Sequence, residues 1–325
     1  MNLLAKKEVE LLDYHPKKSD MKSDVLQGLQ NPEKWISSMY FYDEHGSKLF
    51  DDICELPEYY PTRTELAIMQ ENIDDICSAL GPQVSLIELG SGSSLKIREL
   101  LDHLDDPAVY VPVEISREHL IESAEALQDD YPDLEILPVC ADFTGPFDLP
   151  SPRTEPLRNI VYFPGSTIGN FEPDDALSLL IQCTKIAKQG GGMLIGVDLQ
   201  KDRETLERAY NDAAGVTAEF NLNVLTRLNR ELQSNFNLEN FRHRAIYNTD
   251  KYRIEMHLVS TAEQTVTIDD NAIHFKSGES IHTENSYKYT LEGFRSLAKK
   301  AGFEVKKVWT DEKNLFSVQY LTTVS

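Results

Sequence analysis

LIELGSGSS, Leu86 to Ser94, is an apolar run that breaks on two glycines at the mouth of a helical pattern, and the reading of the whole chain turns on it. Gly90 and Gly92 permit a sharp turn and a close approach of backbone to ligand, because a side chain there would occupy the ligand's volume. A glycine pair alone also fits an ordinary strand-to-helix turn, so its surroundings decide. From Val84 to Val197 short β-rich runs alternate with helical patterns. The strand candidates are Val84 to Leu89, Ala108 to Val113, Leu134 to Cys140, Asn159 to Phe163 and Met193 to Val197. Between them Leu95, Leu100, Leu101 and Leu104 mark one helix, Leu120, Ile121, Ala124 and Leu127 a second, and Leu177, Leu180, Ile181 and Ile186 a third. Such alternation predicts an α/β class with a parallel sheet and crossover helices.

The following strand ends add ligand chemistry. Glu114 closes AVYVPVE, at about 20 residues or slightly more beyond Gly90, where an acidic side chain accepts hydrogen bonds from ribose hydroxyls. Asp142 and Phe143, after LEILPVC, suit an adenine amino group and one ring face. Each alone is ordinary surface acidity or core packing; together they place ligand groups along the carboxyl edge of one sheet. A dinucleotide fingerprint needs a third glycine at position 95, which is Leu95, so the tight pyrophosphate turn is not reproduced. S-adenosylmethionine has no phosphate and needs no such turn. No P-loop lysine pattern and no HExxH occurs. The segment therefore favours S-adenosyl-L-methionine as methyl donor, with no metal expected.

Upstream, Leu66, Met69, Ile73, Ile76 and Leu80 predict an amphipathic helix that ends near Gly81-Pro82. After Asp198 the alternation stops: Arg203 to Arg230 reads as one or two helices, and Tyr252 to Tyr289 as several strands. A helix around Phe294 to Lys300 and strands near Phe303 to Trp309 and Leu315 to Leu321 predict a closing antiparallel hairpin. The 54 acidic against 32 basic residues give a net charge of -22, a field that repels phosphate backbones and anionic lipid. Neither nucleic acid nor membrane is expected as a partner. Cys54, Cys77, Cys140 and Cys183 are scattered through apolar stretches with no CxxC pair, which fits reduced core residues rather than metal ligands. MNLLAKKEVELLDYH carries charges where a signal peptide needs an apolar run. A cytoplasmic monomer acting on a small molecule is the expectation.

Motifs outside the glycine segment are more specific. FYDEHGSKLFDDICELPEYYPTRTE (Phe41 to Glu65), FPGSTIGNF (Phe163 to Phe171), DLQKDRETLERAYNDAAGVTAEFNLNVLTRLNREL (Asp198 to Leu232), RIEM (Arg253 to Met256) and HTENSYKY (His282 to Tyr289) stand in this order. They resemble, collinearly from about Val25 onwards, successive signatures of the histidine Nα-methyltransferases of ergothioneine biosynthesis. The resemblance implies a Rossmann-like class I methyltransferase sheet with an α+β substrate-binding domain formed by the N-terminal segment and an insertion. The expected division is 1–59 for the first part of the substrate domain, 60–197 for the methyltransferase core, 198–283 for the inserted part and 284–325 for completion of the core.

Carried over position by position, the resemblance implies that Gly90, Lys96, Glu114, Asp142 and Phe143 line the methyl-donor site. Glu114 stands where the family pattern has aspartate, and the longer carboxylate still reaches a ribose diol. It also implies that Tyr42, Tyr59, Asn170, Tyr210, Met256, Glu284 and Ser286 line an amino-acid pocket. Asn170 and Tyr210 would hold the α-amino-acid end, and Glu284 and Ser286 the imidazole. The implied substrates are L-histidine and its mono- and dimethylated forms, trimethylated to hercynine, with Tyr42 as catalytic residue and Phe171 a second aromatic face.

Elementary chemistry supports those residue types. Neutral imidazole has one donating and one accepting nitrogen, so a carboxylate and a hydroxyl two residues apart on one strand face satisfy both. The bland readings are a solvated edge strand for Glu284 and Ser286, core packing for Tyr42, Tyr59 and Met256, and a backbone turn preference for Asn170. Two other functions remain open: an N-methyltransferase for tryptophan or its derivatives, and a catalytically inactive methyltransferase-like binding module. A buried Glu284 facing an apolar indole carries an unrecovered desolvation cost, which favours histidine.

Overall fold

The computed structural model describes residues 11–15, 21–92 and 95–324. Ser93 and Ser94 of the glycine segment, and most of MNLLAKKEVELLDYH, lie outside the described residues. In chain order, β1 (Leu12–Asp13) precedes α1 (Met21–Gln30), α2 (Glu44–Glu55) and α3 (Tyr60–Leu80). Alternation follows with β2 (Val84–Leu89), α4 (Leu95–Leu101), β3 (Val109–Glu114), α5 (Arg117–Asp130), β4 (Val139–Cys140), β5 (Arg158–Phe163), α6 (Pro173–Ala187) and β6 (Gly192–Asp198). Next come α7 (Arg203–Ala209), α8 (Val216–Glu231), β7 (Phe241–Asn248), β8 (Arg253–Ser260), β9 (Gln264–Ile268), β10 (Asn271–Phe275) and β11 (Ser280–Tyr287). The chain closes on α9 (Leu291–Lys300), β12 (Phe303–Thr310) and β13 (Phe316–Thr323).

The large sheet has the order β1-β4-β3-β2-β5-β6-β13-β12. Its members from β1 to β6 are parallel neighbours, and β13 runs antiparallel between β6 and β12. This is the expected parallel sheet with crossover helices, closed by the expected antiparallel hairpin. Every residue of β2 and β6 is buried, because helices cover both faces; the strands are accordingly mostly apolar, with Ser85, Glu88 and Asp198 as buried polar exceptions. One face packs α6 and α9, the other α3, α4 and α5. The strand order reverses at the β2–β5 pair, so the loops after Leu89 and Phe163 diverge there and leave the crevice in which such sheets bind ligands.

A third apolar cluster joins α1, α2, Tyr59, Tyr60, α7 and α8 to the strands from β7 to β11. There β11, β8 and β7 form an antiparallel sheet, with β9 and β10 as a separate hairpin. Two details differ from the expected boundaries. The N-terminal β1 lies on the edge of the large sheet, paired with β4, rather than with the rest of residues 1–59. Strand β11 runs unbroken across 283/284, so Glu284 and Ser286 stand on the smaller sheet and the return to the large one starts after Tyr287.

The strand expected over Leu134 to Cys140 shortens to β4, with Ile136 making only an isolated bridge to Tyr110. Pro138 has no N–H to give to a ladder, which breaks the run. The sequence pattern does not predict β7; its FRHRAIYN mixes exposed and buried positions without a clean alternation. Among the described residues no helix is long and apolar enough to cross a membrane.

Candidate functional site

Gly90 ends β2 with φ of +70°, and a Cβ there would come 3.5 Å from the ring of Phe143. The left-handed turn favours glycine, while the ring of Phe143 lies at ordinary contact distance and closes one side of the turn. Among the described residues an added Cβ at Gly92 would meet only the Gly90 carbonyl, at 4.0 Å, which leaves space beside the turn. Phe143 packs edge-on against Phe163, centroids 5.7 Å apart, so the ends of β2 and β5 and the loop after β4 meet at one place. Glu114 uses one carboxylate oxygen to accept from the backbone N–H groups of Ile115 and Ser116, at 2.8 and 3.2 Å. Asp142 accepts likewise from Thr144 and stays exposed. Lys96 is paired with Glu65, which also accepts from the Gly165 N–H at 2.9 Å. Lys96 is thereby held against the loop after β5, beside Gly165.

That loop turns through left-handed conformations at Gly165 (φ +78°) and Ser166 (φ +56°). Ser166 Oγ accepts from the Asp198 N–H at 2.9 Å, which anchors the strained turn. The single 3-10 turn Thr167–Asn170 then lies flat on β11: a Cβ at Gly169 would sit 2.7 Å from the Tyr287 carbonyl oxygen. Asn170 is thus placed between the crevice of the large sheet and the face of β11, and its side chain makes no hydrogen bond among the described residues.

On β11 a bulge falls at Thr283: His282 stands opposite His257, yet Glu284 stands opposite Met256. The extra residue is fixed by its hydroxyl, which donates to the Asn221 side chain at 2.8 Å. A bulge re-aims the side chains beyond it, so Glu284, Ser286 and Lys288 come onto one face. The Glu284 side chain makes no hydrogen bond among the described residues, and burial pushes its carboxyl up to about 7 against the opposing charge of Lys288. Met256, fully buried directly across from it, contributes shape.

Tyrosines surround this face. Tyr59, at the start of α3, stacks edge-on with Tyr210 at 5.9 Å and Phe50 at 6.3 Å. Tyr42 packs on Phe50 and Phe220 at 5.7 and 5.8 Å. It keeps 45% of its surface accessible, yet its phenol is raised above the ordinary range, first by the surrounding protein and then by Glu284. Glu284, Tyr210 and Glu114 all lie near enough to act on its phenol while its surface stays open, and we take these groups to line one recess. Phe171 is not brought into this aromatic group; its ring packs on the core of the large sheet.

A buried polar network backs the recess. Tyr210 Oη donates to Ser286 Oγ at 2.9 Å, and Lys288 Nζ lies 2.8 Å from Ser286 Oγ, 3.2 Å from Tyr210 Oη and 2.7 Å from Asp198 Oδ2. Asp198 also accepts from Tyr60 at 2.8 Å and from Lys201 at 2.6 Å. Burial opposes its charge, but the two lysines outweigh that and hold the carboxyl below its usual value. Lys201 in turn is pushed down to about 8 by burial. Glu88, just before the glycine turn, is likewise pushed up to about 7 by burial, although Tyr110 donates to it.

Sequence reasoning missed Phe50, Phe220, Tyr60, Asp198, Lys201 and Lys288. A period-two signal was available for Lys288, since Glu284, Ser286 and Lys288 alternate within HTENSYKY, and Asp198 ends the last parallel strand. Nothing local marks Phe50, Phe220 or Lys201. No group of three or more His, Cys, Asp or Glu residues suited to a metal ion occurs among the described residues.

Residues 21–323 match the family model described as histidine-specific methyltransferase, SAM-dependent. The histidine N-alpha-methyltransferase of Mycobacterium tuberculosis is 39% identical over 303 residues, 92% of this chain and 93% of the relative. That of Mycolicibacterium smegmatis is 40% identical with the same coverage. Ergothioneine biosynthesis protein 1 of Neurospora crassa is 30% identical over 286 residues, covering 85% of this chain and 32% of that longer protein. The chain belongs to the S-adenosylmethionine-dependent, histidine-specific methyltransferase family.

Proposed function

We propose that the protein transfers methyl groups from S-adenosylmethionine to the α-amino nitrogen of L-histidine, three times in succession, to give hercynine for ergothioneine biosynthesis. The observation that carries the reading is Glu284: an enclosed carboxylate with no protein partner among the described residues, two residues from a buried hydroxyl, in a recess walled by tyrosines. A desolvated acid without a partner is costly, and a ligand N–H relieves the cost. Imidazole offers that N–H together with an acceptor for Ser286. The indole of tryptophan offers no such acceptor.

The carboxyl edge of the large sheet fits the methyl donor. Open space at Gly92, the left-handed turn at Gly90 and the ring of Phe143 suit an adenosyl group; Glu114 and Asp142 suit its hydroxyl and amino hydrogens, and Lys96 the carboxylate end. Bound there, S-adenosylmethionine supplies an electrophilic methyl on a sulfonium. The protein's own work is alignment and exclusion of water. Asn170, on the turn that joins crevice to β11, and Tyr210 hold the amino-acid end. Tyr42 orients the amine and takes part in moving the released proton to solvent. Its ring also faces the cationic product. On this reading α1, α2 and the segment from α7 to β11 form the substrate-binding part of the molecule.

The test is methyl transfer from labelled S-adenosylmethionine across the twenty amino acids, with products weighed by mass spectrometry. Histidine alone as good acceptor, carried to the trimethylated product under excess donor, is expected. Preferred transfer to tryptophan, a monomethylated end product, or donor binding with no transfer to any amino acid would each overturn it.

A further inference from the structure

We propose that Lys288 is a positioning residue that sets the hydrogen-bond polarity of the Ser286–Tyr210 pair, so that this wall of the recess donates to the ligand and does not accept. The inference rests on the histidine reading above and deepens it.

The argument is a count of hydrogens. Lys288 is 1% exposed at its side chain and held protonated: burial lowers its proton affinity, but the charge of Asp198 outweighs that. Its ammonium has three N–H donors and no acceptor. The three oxygens around it are Asp198 Oδ2 at 2.7 Å, Ser286 Oγ at 2.8 Å and Tyr210 Oη at 3.2 Å. All three donors are therefore committed. Ser286 and Tyr210 each accept from Lys288 and share one further hydrogen bond at 2.9 Å. Between them the two hydroxyls own two hydrogens, and only one lies on the line joining them. Tyr210 donates internally, so the Ser286 O–H remains for the recess, and a positive charge behind both oxygens repels an approaching ligand N–H. Glu284, on the same strand face, is the matching acceptor. A ring with one donating and one accepting nitrogen satisfies both, whereas a ring with only an N–H leaves the outward O–H unmet.

The geometry also shows why the residue is so deeply placed. Asp198 ends β6 of the large sheet and Lys288 follows β11 of the small one, so their ion pair ties the two sheets together at the floor of the recess.

The experiment compares the dissociation constants of L-histidine and of 3-(pyrrol-2-yl)-L-alanine, which keeps a ring N–H but has no acceptor nitrogen, with S-adenosylhomocysteine present. The wild-type protein should prefer histidine by about 10- to 100-fold, the size expected for one buried hydrogen bond. In Lys288→Met that ratio should fall about tenfold, through weaker histidine binding, with S-adenosylhomocysteine affinity unchanged; Lys288→Gln, which can still donate to Ser286, should recover part of it. A ratio within twofold of wild type, or equal weakening of both ligands, overturns the proposal. A second measurement needs no variant: 15N chemical shifts of ring-labelled histidine bound to the wild-type protein at pH 7.5. One protonated and one bare ring nitrogen are expected. Bound imidazolium, with both protonated, overturns it. Failure of the wild-type protein to bind histidine would overturn the functional reading itself, which separates the two failures.

Discussion

Replacing Glu284 by glutamine should make the ligand-free protein more stable at neutral and alkaline pH while abolishing its preference for histidine. The carboxyl is pushed from 4.5 up to about 7 by burial, which at about 1.4 kcal/mol per tenfold change in proton affinity is worth roughly 3 kcal/mol. The recess admits water, which screens part of this, so about 1–3 kcal/mol is the expected gain. Its sign follows from proton binding. Below the unfolded value near 4.5 the group is neutral in both states and costs nothing. Between 4.5 and about 7 the folded state binds the proton more tightly than the unfolded chain, so the raised affinity stabilises the wild-type fold less and less as pH climbs. Above about 7 the folded protein must hold a bare carboxylate in the recess, and the penalty is complete. Glutamine has no such charge. Urea unfolding of wild type and Glu284→Gln across pH 5 to 8.5, without ligand, should show a difference that grows with pH and levels off above 7. Groups common to both proteins, including Glu88, cancel in that difference. Excess histidine should stabilise the wild type and leave the variant unchanged. A stability difference independent of pH, or one favouring the wild type at pH 8, would refute the claim that Glu284 is an unpartnered acid waiting for a donor.

Tyr42→Phe should lower the rate of methyl transfer about 10-fold or more with little change in histidine affinity, because it removes only the hydroxyl that orients the amine; equal single-turnover rates would exclude that role. Gly90→Ala, forced into φ of +70° with its Cβ against Phe143, should cost about 1–2 kcal/mol of stability and weaken S-adenosylhomocysteine binding in calorimetry. Gly196→Ala places a Cβ 1.9 Å from Glu65 Oε1, so Glu65 must move away from Lys96 and Gly165; a loss of about 1–3 kcal/mol in urea unfolding, with weakened donor binding, is expected.

Much of this molecule was legible in one dimension. The parallel core was readable because strands covered on both faces are mostly apolar, as in β2 and β6, and because crossover helices impose their own period between them. That Gly90, Glu114, Asp142 and Phe143 stand at strand ends was readable for a related reason: the α/β alternation fixes where each strand ends, and their proposed role as donor contacts follows from that placement. Register was not readable. The bulge at Thr283 depends on a hydrogen bond to Asn221, more than sixty residues earlier, and a shift of one residue decides which face Glu284 joins. The shortening of β4 had a local cause in Pro138, but the pairing of β1 with β4 joins residues over a hundred positions apart.

The sequence by itself determined the class of fold and the family to which the chain belongs, and it supplied the residue types on which the proposed donor and imidazole contacts rest. Only the tertiary structure decided how those residues are charged and oriented. Lys288 and Asp198 read as two ordinary polar residues in their own segments, and their ion pair exists because β6 and β11 come from different sheets that meet beneath the recess. Glu284 and Ser286 were visible as a pair, but that one is left without a partner and the other is backed by a buried ammonium is a result of packing. Burial and charge pairing are properties of neighbours in space, and the sequence does not say who those neighbours are.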